Sequence, residues 1–542
     1  MDTHQVLNQA TALTDFNTAD YPPLREALTR LGAAESLAEL DEVGTAAGTS
    51  AAFDLGDRAE RNAPTLRTHD RFGHRVDEVD YDPAYHELMR QAVRFGLHGA
   101  PWTSSDPHAH LVRAAKFSAW QVIDAGHGCP ISMTYSAVPA LRADPSIAEL
   151  YVPLLASNTY QAELAVPAAK AGITAGMSMT EKQGGSDVRA NTTTATPQSD
   201  GTYIIVGHKW FTSAPMSDIL LTLAQAPGGL TCFVLPRILP DGSRNRIRLQ
   251  RLKDKLGNKS NASSELEYDE ATGWRLGEEG RGVATIIEMV NGTRLDCTIG
   301  TATLMKHGVQ LAAHHVAERA AFGKTLIDQP LMRNVIADLA VEAEASITVA
   351  MWLAALTDDA EAGDQRAAAL RRIGLAVSKY YVCKRGPAHA AESLECLGGN
   401  GFVEESRLPR LFRESPLGSV WEGSGNVAAL DTLRAIGRQP ETLSIFFDEL
   451  DAAAGADTGL DRFVAELRDE FTQLADLEFR ARRVVSKMAL ALQAALLVRF
   501  GHPAVSDAFT GSRLRGDWGP VFGTLNPQVD TAAIIERATA KF

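Results

Sequence analysis

The sequence predicts a small β domain set between helical domains. Long Ala- and Leu-rich segments at both ends carry apolar residues at helical spacing, whereas short runs of β-forming residues cluster between them. With 542 residues, of which 45% are hydrophobic and 22% charged, the chain can bury several cores. The predicted domains are an N-terminal helical domain (1–175), a β domain (176–285), a C-terminal helical bundle (286–440) and an additional helical domain (441–542).

Helices are predicted in the first domain because apolar residues recur at helical spacing in 85–95 and 111–125. Gly- and Pro-containing turns at 99–101 and 128–130 separate the helices. In the second domain, Gly-containing turns separate short segments rich in β-branched and aromatic residues. The predicted strands are 202–206, 219–223, 231–235 and 264–268.

The chain returns to helical spacing from about residue 286. Leu331, Val335 and Leu339 are four residues apart, and the mostly apolar segment 331–357 indicates a helix inside a bundle. The apolar stretch 488–498 is too short to span a bilayer, so it is predicted to be a buried helix.

Composition excludes several function classes. The net charge of −14 argues against a surface that attracts nucleic acid or anionic lipid as a whole. The polar start of the chain shows no signal peptide, and no membrane association is expected. The five cysteines are scattered and form no CxxC pair, which indicates buried free thiols in a reducing cytoplasm and no zinc site.

The most informative segment is 177–186, MSMTEKQGGS, which Asp187 and Val188 follow. Its lack of apolar periodicity indicates a loop, and its glycines allow the backbone to approach a ligand closely. Ser186 and exposed backbone N–H groups suit a pyrophosphate or the edge of a flavin ring. A glycine-rich surface turn would look similar, so motifs elsewhere must decide.

Four motifs resemble the acyl-CoA dehydrogenase flavoprotein family. They are 179–188 (MTEKQGGSDV), 207–213 (GHKWFTS), 319–324 (RAAFGK) with Gln329, and 397–402 (LGGNGF) paired with 421–426 (WEGSGN). Each is moderately specific, but all four occur in the family's order on the expected helical and β segments. The resemblance implies an acyl-CoA dehydrogenase-like fold, bound FAD and a homotetramer.

The resemblance also implies which residues hold FAD. Thr180 and Ser186 match contacts to the flavin ring and to phosphate, and Phe211 matches an aromatic residue that covers the flavin. Arg319 matches an arginine that reaches the FAD pyrophosphate across a subunit interface, for which a guanidinium is well suited. The implied set is Met177, Met179, Thr180, Ser186, Phe211, Thr212, Ser213, Arg319, Gln329, Gly398, Gly399, Trp421, Gly423 and Asn426.

Glu422 matches the family's catalytic base. There the carboxylate removes an acidic α-proton while the β-hydride leaves to the flavin, and a dry site raises the basicity of a carboxylate. From the residues alone, a surface glutamate in a turn is the alternative. Arg294 matches a family arginine close to CoA.

Several segments are similar to the branch of the family that responds to DNA alkylation. These are 131–134 (ISMT), 252–258 (LKDKLGN) and 420–426 (VWEGSGN), together with the extra segment after about 440. This similarity implies a protein that binds FAD and double-stranded DNA and has weak acyl-CoA dehydrogenase activity.

Any DNA contact must be local, because 441–542 carries 11 Lys+Arg against 15 Asp+Glu, a net charge of −4. Arg480, Arg483 and Lys487 share one helix face at i, i+3 and i+7, and Arg434 matches a position associated with DNA in that branch. Such contacts should be to phosphates and independent of sequence. A solvated face paired with nearby carboxylates is the alternative.

Two further functions stay open. A conventional FAD-dependent acyl-CoA dehydrogenase of acyl-chain catabolism would need no DNA. A flavin-holding scaffold without catalysis would only shield DNA. An acyl tunnel with room for CoA would favour the dehydrogenase, and a Glu422 buried away from the flavin would favour the scaffold.

Overall fold

A computed structural model describes residues 3–473 and 475–541. Its α-helices are α1 Pro22–Arg30, α2 Leu37–Ala47, α3 Ser50–Arg61, α4 Pro83–Arg94, α5 Ala109–Trp120, α6 Gly128–Leu141, α7 Pro145–Leu155, α8 Gly282–Glu318, α9 Pro330–Glu361, α10 Gln365–Glu395, α11 Leu408–Glu414, α12 Gly425–Arg438, α13 Glu441–Asp451, α14 Thr458–Glu470, α15 Ala481–Phe500, α16 Pro503–Phe509 and α17 Thr531–Ala538. Its strands are β1 Thr65–His69, β2 Arg75–Asp80, β3 Ala175–Ser178, β4 Thr194–Pro197, β5 Tyr203–Ser213, β6 Ile219–Ala226, β7 Gly229–Pro236, β8 Ile247–Leu252, β9 Ser263–Leu276, β10 Ala320–Ala321 and β11 Lys324–Thr325.

The chain divides into two compact units that interleave along the sequence. The helical unit comprises Met1–Ser50, His110–Val122 and Arg294–Phe542, and the sheet unit comprises Ala51–Ala109 and Ile123–Thr293. The predicted division into four consecutive domains stays a prediction, because each of these units is made of residues that contact one another and is not continuous in sequence.

The sheet unit is built on a seven-stranded sheet with the order β3-β5-β4-β6-β7-β9-β8. The four predicted strands lie within β5, β6, β7 and β9, as the alternation of β-forming residues and Gly turns predicts. Leu220, Phe233, Leu235 and Leu266 are buried in its core. β3 pairs with both β5 and β6, which places the start of the loop after Ser178 at β5.

The hairpin of β1 and β2 is a structure that the sequence did not predict, since the whole of 1–175 was expected to be helical. Its strands are mostly polar, and Arg67 pairs with Glu78 across them at 2.5 Å. Asp77 and Val79 of β2 are buried, and Val79 packs against the core of the large sheet. A hairpin with so little apolar alternation carries no period-2 signal for a sequence to show.

In the helical unit, α9 and α10 pack along each other and α15 packs against both. Asp364 caps α10 by accepting hydrogen bonds from the N–H groups of Arg366 and Ala367. By length and composition α9 could cross a membrane, but 94% of its apolar window is buried inside the protein, as in a core helix. The predicted buried helix at 488–498 lies in α15, whose Met488 and Leu492 are fully buried.

The segment after residue 440 belongs to the helical unit. It is joined to α9 by Arg513, which pairs with Asp338 at 2.5 Å and Glu342 at 3.1 Å, with none of the three side chains exposed. Arg537 pairs with Glu344 of the same helix at 2.8 Å. Buried charges of this kind must be paired, so these contacts fix the segment in place.

Candidate flavin and base site

The loop after β3 is organised by a buried ion pair in the sheet unit. Lys209 Nζ lies 2.9 Å from Glu181 Oε1, and neither side chain is exposed. The carboxylate of Glu181 also accepts hydrogen bonds from the backbone N–H and hydroxyl groups of Thr192 and Thr193. Glu181 therefore holds the two ends of the loop together, and its carboxylate is not available to a ligand.

Both members of this pair are charged at neutral pH. Burial acts to raise the pKa of Glu181, but the hydrogen bond from Thr193 and the charge of Lys209 outweigh it and hold that pKa well below its usual range. Burial lowers the pKa of Lys209 to about 8. The loop thus rests on a fixed charge pair rather than on apolar packing.

Around this anchor, the predicted ligand positions differ in accessibility. Ser186 and Phe211 are exposed, with Phe211 at 48%, while Met177, Met179, Thr180 and Ser213 are half-buried. Thr212 is fully buried, and its hydroxyl lies 2.6 Å from that of Ser178, so only its backbone could reach a ligand. The exposed face of Phe211 has Lys253 Nζ 4.7 Å from the ring centroid.

In the helical unit, two cations hold the backbone of the predicted base. Lys379 Nζ donates to the carbonyl oxygen of Trp421 at 2.7 Å and also to that of Gly423. Arg294 Nε donates to the carbonyl oxygen of Glu422 at 3.0 Å. Three consecutive carbonyl groups are thereby fixed by buried donors.

The backbone held in this way is strained. Glu422 has φ +55° and Gly423 has φ +97°. A non-glycine residue in the left-handed region costs about 1–2 kcal/mol and persists where surrounding contacts impose it. The cations supply those contacts, and they set the direction in which the half-buried Glu422 side chain leaves the chain.

Asp431 of α12 anchors the arginine. Arg294 Nη1 lies 2.7 Å from Asp431 Oδ2, and Arg372 donates to both oxygens of the same carboxylate at 2.8 and 3.0 Å. Burial acts to raise the pKa of Asp431, but the hydrogen bonds from Arg372 and the charge of Arg294 hold it below its usual range. Arg294, which the resemblance assigned to CoA, therefore uses its Nε on the base loop and its Nη1 on α12.

Arg319 lies at the end of α8, where a two-residue turn follows. β10 and β11 form a hairpin whose central residues, Phe322 and Gly323, have φ +52° and +78°, as in a type I′ turn. Gln329 Nε2 donates to the carbonyl of Ala321 at 3.2 Å and closes the hairpin. Phe322 is 100% exposed at the tip.

The glycine-rich segment after α10 has two roles. Gly398 has φ +58°, and for both it and Gly399 no atom of the described residues lies within 4 Å of the position of an added Cβ. At Gly401, by contrast, a Cβ would lie 2.0 Å from the carbonyl oxygen of Leu394, so this residue must be glycine for packing. Gly398 and Gly399 thus expose backbone that a ligand can approach.

Each unit by itself carries features that suit part of a flavin dinucleotide. In the sheet unit, the exposed aromatic face of Phe211 suits the isoalloxazine. In the helical unit, open glycine backbone suits an adenosine or phosphate, and the half-buried Arg319 suits pyrophosphate. Trp421 Nε1 is buried and has no hydrogen-bond partner among residues 3–473 and 475–541, which leaves a donor next to Glu422 for a bound group. Asn426 is exposed one residue inside α12.

The charge of the predicted basic stripe is partly neutralised by a carboxylate that the sequence did not suggest. Arg480, Arg483 and Lys487 all pair with Glu470, at 2.5, 3.1 and 2.8 Å. Hydrogen bonding from Lys487, together with that from Arg483, lowers the pKa of Glu470 to about 2. Arg480 also donates to the carbonyl of Gln473, so its guanidinium serves the α14–α15 connection.

Other cations nearby keep their charge unpaired. Within the described ranges, Arg434, Arg438 and Arg482 are exposed and have no carboxylate partner. Arg482 Nε lies 3.3 Å from the hydroxyl of Tyr380. Of the predicted DNA residues, Arg434 is therefore the one with a free charge.

The sequence missed the residues that hold the site. Lys379 and Asp431 stand within helices and belong to no motif, and Arg294 was assigned another role. Thr180 and Glu181 of the first motif indicated a ligand-binding loop, but the Glu181 carboxylate binds Lys209, Thr192 and Thr193 and so stabilises the loop. A lysine inside the mostly apolar stretch 373–383 is the one signal that could have identified Lys379.

Three family models cover most of the chain. The N-terminal domain of adaptive response protein AidB matches residues 8–162, the middle domain of acyl-CoA dehydrogenases matches 176–271, and their C-terminal domain matches 280–437. The motifs and the site residues from Met177 to Arg434 all lie within the last two matches.

Whole-chain relatives agree with these matches. The chain is 40% identical over 510 residues to AidB of Escherichia coli K12, covering 94% of each chain. It is 33% identical to acyl-CoA dehydrogenase family member 11 of Caenorhabditis elegans, over 75% of this chain and 68% of that protein. The crystal structure of C. elegans ACDH-11 in complex with C11-CoA superposes with a TM-score of 0.86 at 27% identity, covering 99% of this chain and 93% of the other.

Proposed function

The chain belongs to the acyl-CoA dehydrogenase family and is an FAD-dependent oxidoreductase acting on CH–CH groups, and we propose that it oxidises acyl thioesters with Glu422 as the base. The observation that carries this assignment is the fixed backbone at 421–423, where three carbonyl groups are held by Lys379 and Arg294.

In the proposed reaction, the Glu422 carboxylate accepts the proton from the carbon next to the thioester carbonyl. FAD would supply the acceptor for the hydride of the neighbouring carbon, held by the residues proposed below. A general base must lie within hydrogen-bond reach of the proton it removes, so the Glu422 side chain must point in the right direction as well as carry a carboxylate. Lys379 and Arg294 supply that direction through the backbone, and Trp421 Nε1 is a spare donor beside the base.

FAD is held by residues from several motifs in this proposal. Ser186 and the exposed N–H groups of its loop face phosphate or the flavin edge, Phe211 covers the ring, and Arg319 binds pyrophosphate. Gly398 and Gly399 offer backbone to the adenosine end. Their exposure and their open surroundings support these roles.

The substrate is proposed to be an acyl-CoA. The support is the likeness to C. elegans ACDH-11, which was crystallised in complex with C11-CoA. Medium-length acyl chains are therefore the first substrates to try.

We also propose that the protein binds double-stranded DNA without sequence preference and takes part in the response to DNA alkylation. The support is the 40% identity to AidB over 94% of both chains, together with the adaptive-response N-terminal domain. Exposed Arg434 and Arg482 provide unpaired positive charge for phosphate contacts, which is needed because the net charge is −14.

A homotetramer in the cytoplasm is the proposed state of the protein. Apolar side chains at the surface of the helical unit support assembly, since Phe322 is 100%, Leu331 82% and Phe402 81% exposed. The five cysteines are free and buried, as expected for a reducing compartment.

One experiment separates the candidate functions. The purified holoprotein is titrated anaerobically with acyl-CoAs of increasing chain length while bleaching of the flavin absorbance is followed, and DNA affinity is measured on the same preparation. Flavin reduction together with DNA binding supports the full proposal, whereas reduction without DNA binding leaves a conventional dehydrogenase. If the protein binds DNA but no acyl-CoA reduces its flavin, the non-catalytic scaffold is the function that remains.

A further inference from the structure

Residues 8–13, here called the N-terminal arm, run without helix or strand along one end of the helical unit. The arm ends at Leu13, which is buried at 2% exposure, and Phe16 just beyond it is buried at 5%, so the chain is anchored in the core where the arm ends. The arm itself is mostly exposed and is held by side-chain hydrogen bonds rather than by packing.

Asn8 joins the arm to the residue after Arg319. Its Nδ2 donates to the carbonyl of Ala320 at 2.8 Å, and its Oδ1 accepts from the N–H of Ala320 at 2.7 Å. The carbonyl oxygen of Asn8 accepts a hydrogen bond from Arg319 Nη1. The backbone of Asn8 has φ +54°, a conformation that asparagine tolerates better than most residues.

Thr11 holds the residue before Arg319. Its N–H donates to Glu318 Oε2 at 2.6 Å, and its hydroxyl lies 3.0 Å from both carboxylate oxygens. His314 Nε2 lies 3.0 Å from the carbonyl oxygen of Thr11. The carboxylate of Glu318 is thereby occupied by the arm.

The arm also reaches the glycine-rich segment after α10. Asn400 Nδ2 lies 3.4 Å from Gln9 Oε1, and Arg407 Nη1 lies 3.4 Å from the carbonyl oxygen of Leu13. One strip of chain thus touches two segments that are proposed to bind FAD, the end of α8 and the loop that contains Gly398 and Gly399.

We propose that the N-terminal arm is part of the flavin site and positions Arg319 for the FAD pyrophosphate. This inference rests on the proposed function, in which Arg319 binds phosphate. A guanidinium has five N–H donors, so one bond to Asn8 orients it and leaves four for phosphate oxygens. Fixing a long side chain before binding removes the entropy that binding would otherwise cost.

The test is a double-mutant cycle on FAD affinity, measured by reconstituting the apoprotein and following quenching of flavin fluorescence. The arm variant is Asn8→Gly with Thr11→Ala, since glycine accepts the positive φ and only side-chain bonds are lost. Its dissociation constant for FAD should rise about tenfold, the usual effect of losing hydrogen bonds that orient a charged group. The control is Thr3→Ala, because among the described residues the Thr3 hydroxyl hydrogen-bonds only to the neighbouring His4.

The second half of the cycle places the same two substitutions, Asn8→Gly and Thr11→Ala, in an Arg319→Ala background. In that background the arm substitutions should change the FAD affinity less than threefold, because the Arg319 guanidinium that the arm positions is absent. If the arm and Arg319 acted independently, their effects on the affinity would multiply. Equal affinity of the wild type and the arm variant, or multiplicative effects, would overturn the inference. A wild-type protein that takes up no FAD would instead overturn the proposed function. The melting temperature of each apoprotein checks that the fold is kept.

Discussion

Lys379 Nζ lies 2.7 Å from the carbonyl oxygen of Trp421, the residue that precedes the proposed base. The same ammonium bonds the carbonyl of Gly423 on the other side, so one buried charge spans the strained residue between them. Catalytic groups gain from being held within a fraction of an ångström of the productive geometry. The geometry therefore makes the position of Glu422, which lies just before α12, depend on a lysine of α10.

Glu422→Gln should keep FAD and lose flavin reduction by acyl-CoA. Glutamine preserves the shape of the side chain and removes its ability to accept a proton, and loss of a general base costs on the order of a hundredfold or more. The measurement is the rate of flavin bleaching in a stopped-flow instrument under anaerobic conditions. Undiminished reduction by the variant would show that another group is the base.

Lys379→Met should lower the rate of flavin reduction at saturating substrate by about tenfold while FAD content stays normal. Methionine keeps the apolar stem but cannot hold the two carbonyl groups, so Glu422 would sample more directions. The matched control is Arg371→Met in the same helix, whose charge pairs with Glu361 at 3.7 Å and not with the base loop. A loss that appeared only in substrate affinity would argue against this role for Lys379.

How far the sequence could predict these contacts depends on their range. Helices with regular apolar spacing and strands set off by glycine turns were predicted, because their signals are local. Lys379 and Arg294 were not assigned to the base loop, since their carbonyl partners lie 42 and 128 residues away. Glu470 was likewise missed as the partner of Lys487, 17 residues along the chain, whereas Asp476 and Glu478 lay closer in sequence.

Phe322→Asn should stabilise the isolated chain slightly and weaken the assembled protein. Asparagine suits the positive φ of this turn, so a backbone cost of about 1 kcal/mol is relieved. The exposed ring, however, is proposed to lie between subunits, and it stands three residues after Arg319, which is proposed to bind FAD. We expect a rise in the melting temperature of the apoprotein, a smaller mass in native mass spectrometry and faster loss of FAD. An unchanged mass and unchanged FAD retention would show that Phe322 contributes neither to assembly nor to FAD binding.

Lys306→Met should stabilise the protein more at low pH than at high pH. Lys306 is fully buried and bonds the carbonyl of Thr18 at 3.0 Å, and burial lowers its pKa to about 7. The unfolded chain keeps this lysine protonated up to its ordinary pKa. Because the folded state binds fewer protons between these values, the stability of the wild type rises with pH by up to ~1.4 kcal/mol per unit there.

The advantage of Lys306→Met should therefore be largest below pH 7 and shrink as the pH rises toward 10. Thermal melting of both proteins from pH 6 to 10 measures it. A difference in melting temperature that stays constant over this range would show that Lys306 is charged in the folded protein throughout.

The DNA-binding surface is expected to depend on unpaired cations rather than on the stripe at Arg480, Arg483 and Lys487. Glu470 cancels part of the charge of that stripe, whereas Arg434 and Arg482 are exposed without a carboxylate partner in the described parts of the chain. Each phosphate contact adds about 0.9 to the slope of log affinity against log salt, through release of counterions.

Replacing Arg434 and Arg482 by Ala should therefore flatten that slope by about 1.8, two contacts at this value, while FAD content stays normal. Arg483→Ala with Lys487→Ala removes the same charge and serves as the matched comparison. It should change the slope less, since Glu470 already competes with phosphate for these cations. A larger effect of this second pair would show that the stripe binds DNA. Identical slopes for the wild type and both double variants would show that neither surface contacts phosphate.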